Sequence, residues 1–527
     1  MEKLLSVCEV LAVGVCAFAL AGRAQAQDAG AAETPAVETP DAGIAPAEPA
    51  PPAVEPAAPA PASVTVVAAE QPEAKHVEAA TAPVTREEPR SWFWRPPLRA
   101  EFGDWSVTLY GFAEADFSFD STRSYDDAIG ATLVARSDTY PGQVGRTQFS
   151  VRNSRLGLMF ASPSIGGVKG SALLEADFFG TPAEPPGSGG ASEHAFFDSP
   201  LLRLRQAYLQ LQNAYVDVLA GHTYTVFGFQ NAYSPCTLEF LGLPNQLFSR
   251  STQLRLSHEF FIASELSIDV AAAAVRPAQR DSAVPDAQAG VRLNAYGWKG
   301  ITTPGNTGTR ALPLSIAVSA TVRQFKVNAF TPPPTQRSNS ATGWGVSVDA
   351  FVPIIPAAHG DDRSNRLSLL ASFVTGTGIG DLITSTGGAS FPTLPNPAQA
   401  NPPPEYAANI DDGLVSFDTQ GVVHTIDWWA LRAGLQYYLP PSGRFILSAN
   451  YTLGHSGNMD ELFPKGGAEI ELLTRVADRS QYADLNVMWD ATPAIRFGLS
   501  GQYTKVDYLD GDEPHNVRVM GQALYAF

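Results

Sequence analysis

From Asn516 to Phe527 the sequence alternates with a period of two and stops on an aromatic ring, which constrains the fold more than any other stretch. Val517, Val519, Gly521, Ala523, Tyr525 and Phe527 share one face of such a strand, and Asn516, Arg518 and Gln522 share the other. One face suits lipid and the other water, as in the strands of an outer-membrane barrel. A soluble strand can carry the same pattern, so the decision rests on whether the rest of the chain repeats it.

It does. Trp105, Val107, Leu109, Gly111, Ala113, Ala115 and Phe117 alternate with Ser106, Thr108, Tyr110, Glu114, Asp116 and Ser118. Phe445, Leu447, Ala449, Tyr451 and Leu453 alternate with Ser448, Asn450 and Thr452, and Ile495, Phe497, Leu499, Gly501 and Tyr503 with Arg496, Ser500, Gln502 and Thr504. Strands are predicted near 105–119, 146–160, 167–179, 201–211, 215–223, 252–261, 264–275, 288–297, 311–324, 342–352, 365–375, 427–439, 443–454, 480–489, 494–506 and 515–527. That makes an all-β chain, a transmembrane antiparallel β-barrel of about sixteen strands. Short links such as Asn213-Ala214, Pro440-Pro441-Ser442 and Asp490-Ala491-Thr492-Pro493 alternate with long ones at 120–145, 180–200, 224–251, 376–426 and 454–479. Short turns belong to a periplasmic rim and long loops to the outside. The alternation weakens at 298–310 and 353–364, where a short turn is expected.

The remaining sequence fits this class. Charged residues are 17% of the 527, and after the start no apolar run reaches the ~18 residues a membrane helix needs. Met1-Glu2-Lys3, the apolar stretch Leu4 to Leu20 and the small-residue site Ala24-Gln25-Ala26 read as a signal peptide, residues 1–26. Residues 27–100 then form a Pro/Ala/Glu-rich leader in the periplasm, too poor in apolar side chains to bury a core and expected to be disordered. The barrel takes residues 101–527. Cys8 and Cys16 lie in the signal, which leaves Cys236 alone, an inert loop thiol with no disulfide framework. A net charge of −18 argues against a nucleic-acid protein without settling what the chain binds, and part of that acid, Asp126, Asp127, Asp411 and Asp412, is assigned to loops away from any pore.

Aromatic residues of lipid-facing parity gather near the periplasmic strand ends. Trp105, Trp489, Tyr525 and Phe527 are the expected membrane girdle, with Tyr437, Phe445 and Phe497 beside them. Phe527 is also the expected signal to the barrel assembly machinery.

Catalytic groupings are not evident. Ser257-His258-Glu259 and Ser192-Glu193-His194 set a hydroxyl near a histidine, but adjacent strand residues point to opposite faces. The acidic turn Asp510-Gly511-Asp512-Glu513 lacks the spacing of a calcium loop and reads as a hairpin tip, so neither metal nor cofactor is expected. Arginine is the informative charge, outnumbering lysine 28 to 7. Arg152, Arg203, Arg205, Arg255, Arg292, Arg323 and Arg432 take water-facing parity, as do Arg496 and Arg518. Guanidinium rows can pass carboxylates along a pore. Glu114, Asp116, Glu175 and Asp177 share that parity, so the arginines can equally brace the wall, and both readings stand. After the fifth strand, Thr223 to Arg250 is too apolar for a solvated loop. It is expected to fold inward as a constriction loop carrying Thr225, Phe227, Glu239, Phe240 and Arg250.

Leu109-Tyr110-Gly111-Phe112-Ala113-Glu114-Ala115-Asp116, the run Gln148 to Gly157, Leu204-Arg205-Gln206-Ala207-Tyr208, and Gly221-His222-Thr223-Tyr224 followed by Thr237-Leu238-Glu239-Phe240 resemble the DcaP-like outer-membrane porins. The resemblance is densest over residues 109–260. It implies a homotrimer of sixteen-strand barrels with an inward loop, admitting small negatively charged organic solutes. The Pro/Ala-rich leader departs from the helical periplasmic extension those porins can carry. The expected function is passive diffusion of small hydrophilic solutes, organic anions such as carboxylates favoured, across the outer membrane of a Gram-negative-type cell. Two alternatives remain: a plugged structural barrel whose leader ties membrane to cell wall, and a barrel-embedded lipid hydrolase.

Overall fold

A computed structural model of the chain describes residues 98–129, 133–180, 201–239, 241–305, 308–328, 338–357, 362–386, 409–411, 413–417, 422–462 and 476–527. The expected signal peptide and almost all of the expected leader fall outside the described residues, as do Ser192-Glu193-His194, Phe240 and Asp412.

The strands are β1 (Leu98–Phe102), β2 (Trp105–Asp120), β3 (Arg146–Ser150), β4 (Arg155–Ile165), β5 (Val168–Gly180), β6 (Leu201–Gln212), β7 (Asp217–Tyr224), β8 (Arg250–Ala263), β9 (Leu266–Val275) and β10 (Asp286–Thr302). They continue as β11 (Arg310–Asn328), β12 (Ser338–Ile355), β13 (Arg366–Thr377), β14 (Val415–Phe417), β15 (Val423–Thr425), β16 (Asp427–Tyr438), β17 (Phe445–Ser456), β18 (Ala477–Asp490), β19 (Ile495–Tyr508) and β20 (His515–Ala526). Sequential antiparallel pairing builds a wall that closes where β20 pairs β2, from Phe112↔Ala526 to Asp120↔Arg518. With β3 and β4 sharing one place beside β2, this is a closed sixteen-strand antiparallel barrel. Closure removes the edges that would otherwise expose unpaired backbone groups to lipid.

The departures from the sequence reading are local. The run predicted as one strand at 146–160 is interrupted between Ser150 and Arg155, because side chains replace ladder bonds there. Asn153 donates to Glu114 at 2.7 Å, and the Glu114 amide donates to Ser154 at 3.0 Å. β10 extends to Thr302 past a register shift between Ala295 and Lys299, and β12 to Ile355 past one between Pro353 and Ile355. A bulge changes the phase of alternation, which is why the pattern weakened at 298–310 and 353–364. β1 was not foreseen. It pairs Leu98–Phe102 with Trp105–Leu109, on the edge of β2 that β20 leaves free below Phe112.

The two faces separate as the alternation requires. Along β20 exposed and buried residues alternate, Val517 and Val519 outward, Arg518 and Met520 inward. The outer face carries Leu485, Leu499, Ile316 and Leu254 exposed, which in water would be a large apolar patch and in a bilayer is the lipid contact. Trp105, Trp489 and Tyr525 are exposed on this face, with Trp489 stacked between Phe445 and Phe497 at 5.9 and 5.8 Å. Phe527 exchanges backbone hydrogen bonds with Gly111, and its ring lies over that glycine, where a Cβ would meet it at 2.9 Å.

Segments from three long loops turn into the barrel. Tyr125, Ile129, Leu133 and Val134 from the β2–β3 loop, Phe227, Leu243 and Leu247 from the β7–β8 loop, and Ile379, Leu382 and Ile383 from the β13–β14 connection share one buried apolar cluster. Burying these side chains removes apolar surface from water at roughly 25 cal/mol per Å2, a favourable reason for the loops to turn inward.

Candidate functional site

The β7–β8 loop, 225–249, sets the geometry of the interior. Its neck is closed by Thr225 and Ser249, whose hydroxyls lie 3.0 Å apart. From there it crosses the lumen, and the wall strands receive it at each step. The Phe227 amide donates to Gln288 at 3.1 Å, the Gly228 amide to Ser319 at 2.7 Å, and the Tyr233 hydroxyl to Ser315 at 3.1 Å. Further along, Ser448 and Asn450 donate to the Cys236 carbonyl at 2.9 and 2.8 Å, and Thr237 donates to Asp484 at 2.8 Å. Backbone groups inside a barrel need partners, and polar lumen side chains supply them. Burial pushes the Cys236 thiol up to about 12, which keeps it protonated and inert.

The wall makes room for this path with glycines on the lumen face. A Cβ on Gly290 would meet the Phe229 ring at 2.5 Å, on Gly345 the Phe227 ring at 2.9 Å, on Gly454 the Asn245 amide oxygen at 2.2 Å, and on Gly498 Leu238 at 2.3 Å. The alternation of apolar and polar residues does not by itself single out these four positions. Glycine at water-facing parity in a barrel strand is the signal that marks them.

Between the loop and strands β4 to β7 a polar cavity of about 190 Å3 remains. Arg155, Glu175, Arg205, Gln206 and Tyr224 line it from the wall, and Gln230, Thr237, Glu239, Gln246 and Phe248 from the loop. Arg310 and the β10–β11 turn at Pro304-Gly305 complete it. The predicted residues Arg205, Glu175 and Glu239 are therefore brought together here, while Thr225 and Phe227 are buried at the loop's start.

The arginines of this wall are mostly paired. Arg205 donates from Nε to Glu175 at 2.9 Å and from Nη1 to Asp177 Oδ2 at 2.8 Å, and Arg203 bonds both oxygens of Asp177, Oδ1 at 3.0 Å and the shared Oδ2 at 2.6 Å. Glu175 also accepts from the Tyr110 hydroxyl at 2.9 Å. Arg152 bonds Asp127 of the β2–β3 loop at 2.7 Å. Arg152 and Arg203 flank the Phe179 ring at 5.0 and 5.1 Å. Arg155 is held more loosely, 4.0 Å from Glu175 and over the Phe112 ring. Arg250 lies over Tyr224 and Phe248. Five guanidiniums, at 152, 155, 203, 205 and 250, thus stand beside four carboxylates, at 127, 175 and 177 and, from the loop, 239, so the charges here sum to a small positive excess.

The other predicted arginines lie elsewhere on the inner wall. Arg292 pairs Asp269, Arg323 pairs Asp286 at 2.8 Å and also Asp381, and Arg255 is half-buried on β8. Arg432 is buried and donates to the Tyr233 carbonyl at 2.8 Å. Glu114 and Asp116 sit near the closing seam, where Gln522 donates to both, at 2.9 and 3.2 Å. The acidic turn after β19 is bound by the β2–β3 loop, with Arg136 donating to Asp510 at 3.0 Å and the Ser137 amide to Asp512 at 3.0 Å. At Ser257-His258-Glu259, the His258 ring packs edge-on against Phe260 at 4.6 Å, while Glu259 accepts from Ser267 and Tyr296 at 2.6 Å.

No protein-family model matches the chain, and no curated protein does either. Among solved structures, the outer membrane channel DcaP of Acinetobacter baumannii is similar over 82% of this chain and 100% of its own, at 17% identity and a TM-score of 0.55. An outer-membrane expressed OmpT of Vibrio cholerae, at 11% identity, covers 82% of this chain and 100% of its own with a TM-score of 0.44. An anion-selective porin from Comamonas acidovorans, at 12% identity, covers 80% and 100% with a TM-score of 0.42. The likeness to the Acinetobacter channel is one of fold.

Proposed function

We propose that the chain is a passive diffusion channel of the outer membrane of a Gram-negative-type cell, with the short-turn rim and the leader in the periplasm. It admits small hydrophilic solutes and favours organic anions such as carboxylates. The observation that carries this reading is the polar cavity between the inward loop and the guanidinium-rich wall of β4 to β8. A net positive wall raises the local concentration of anions, and its paired carboxylates hold the guanidiniums in place without cancelling them. Arg155 and Arg310 are the proposed contacts for solute, with Arg250 beside them over Tyr224 and Phe248, and Arg203, Arg205, Arg292 and Arg323 are the braces. Trp105, Trp489, Tyr525 and Phe527 form the girdle, with Phe527 also presented to the assembly machinery. The assembly is a homotrimer, and passage involves no turnover of the solute.

Liposome swelling tests this directly. Vesicles holding the folded barrel should admit small neutral and anionic solutes, the anions faster than cations of the same size. A second reading, the plugged structural barrel, draws on the buried apolar cluster that segments of three loops form inside the wall. Vesicles that stay impermeable to every solute would favour it.

A further inference from the structure

The segment Gly378–Thr386 follows β13 and, instead of continuing to the long-loop rim, turns into the lumen. Gly378 takes φ +65°, and its amide donates to the Ile426 carbonyl at 2.8 Å. The segment then runs antiparallel to the second half of the constriction loop, with Leu247 opposite Ile383. The Phe248 amide donates to the Leu382 carbonyl at 3.0 Å, the Thr384 amide to the Gln246 carbonyl at 2.9 Å, and the Asn245 amide to the Thr384 carbonyl at 3.0 Å. The Thr384 hydroxyl accepts from the Gln246 amide at 3.0 Å and donates to the Leu243 carbonyl. The bonds of Leu382 and Thr384 all end on the stretch of loop whose Gln246 and Phe248 line the cavity.

Arg323 anchors the segment to the wall. It donates to the Gly378 carbonyl at 3.0 Å and pairs Asp381, while its Nε holds Asp286 of β10 at 3.0 Å. Leu382 and Ile383 are buried against Phe227, Leu243 and Leu247.

We infer that Gly378–Thr386 is a strap that fixes the constriction loop from behind, so that two loops set the width of the passage. Thr384 and Asp381 are positioning residues: neither lines the cavity, and both act through Gln246 and Phe248. Without the strap, the buried amides of Asn245 and Phe248 lose their partners and that of Gln246 keeps only the Leu243 carbonyl, and the loop moves to find others. The consequence for conduction rests on the diffusion-channel reading; the mechanical role does not.

The experiment therefore has two readouts on the full chain in detergent or bilayers. Hydrogen exchange comes first. In Thr384→Val, which keeps the side-chain volume and removes the hydroxyl, the amides from Asn245 to Phe248 should exchange about tenfold faster while the barrel amides do not change. Asp381→Asn, which weakens the anchor, should act in the same direction. The second readout is single-channel current, where the same variants should show a noisier open level and a conductance higher by about twofold. A pair Leu247→Cys and Ile383→Cys in a Cys236→Ser background should be quiet when oxidised and noisy when reduced. Unchanged exchange at 245–248 in a barrel that still shows heat-modifiable migration would overturn the strap. Faster exchange with no current from any form would keep the strap and overturn the channel.

Discussion

Arg518 and Asp120 meet across the closing seam in a two-bond fork, Nε to Oδ1 at 2.8 Å and Nη2 to Oδ2 at 2.9 Å, with neither side chain exposed. They are cross-strand partners in the β2–β20 register, and the same guanidinium donates to the Asp126 carbonyl at 2.8 Å. One residue thus ties the last strand, the first long strand and the β2–β3 loop. Removing one partner of a buried pair leaves an uncompensated charge, which costs about 3–5 kcal/mol. Arg518→Ala should lower the urea midpoint of the folded, heat-modifiable barrel accordingly. An unchanged midpoint would show that the seam does not depend on this fork.

The cavity arginines and the bracing arginines should separate by measurement. Arg155→Ala and Arg310→Ala each remove a charge at the cavity, and each should shift the reversal potential toward cation selectivity under a salt gradient. Arg292→Ala removes a charge paired to Asp269 away from that cavity and should leave selectivity nearly unchanged. Equal shifts from all three would dissolve the distinction.

Gly498 underlies Leu238 so closely that any side chain must displace it. Gly498→Val should push this part of the loop away from β19 and change the single-channel conductance, while Gly501→Val, where a Cβ meets nothing, should not. A Gly498→Val channel with native conductance would mean that the loop is not held against β19.

The strand pattern was legible because lipid outside and polar side chains inside impose a strict period of two. Cross-strand ion pairs follow from that pattern once register is known: Arg292 stands opposite Asp269 and Arg518 opposite Asp120. Pairs between loop and wall, such as Arg323 with Asp381 and Arg152 with Asp127, were not legible, because loop paths leave no periodicity. The inward course of 225–249 was visible in its apolar composition. The strap was not, since Ile379, Leu382 and Ile383 are few apolar residues in a long polar stretch.

Acid should loosen the β2–β3 loop. The hydrogen bond from Arg136 is the main cause that holds the Asp510 carboxyl below the usual carboxylate range. A depressed carboxylate contributes stability that is complete above its unfolded value of about 4 and is lost as pH falls through the folded value. Proteolysis within 121–145 should therefore quicken as pH drops below about 4, and Asp510→Asn should show the fast rate already at neutral pH. Cleavage independent of pH in the native chain would remove this tether from the account.

A passage bounded by the inward loop and a net positive wall should conduct anions, which single-channel recording of the folded protein in a planar bilayer under a salt gradient measures. Discrete threefold steps with an anion-selective reversal potential, reduced in Arg155→Ala, are expected. Cation-selective steps, or a demonstrably folded barrel that passes no current, would contradict this expectation.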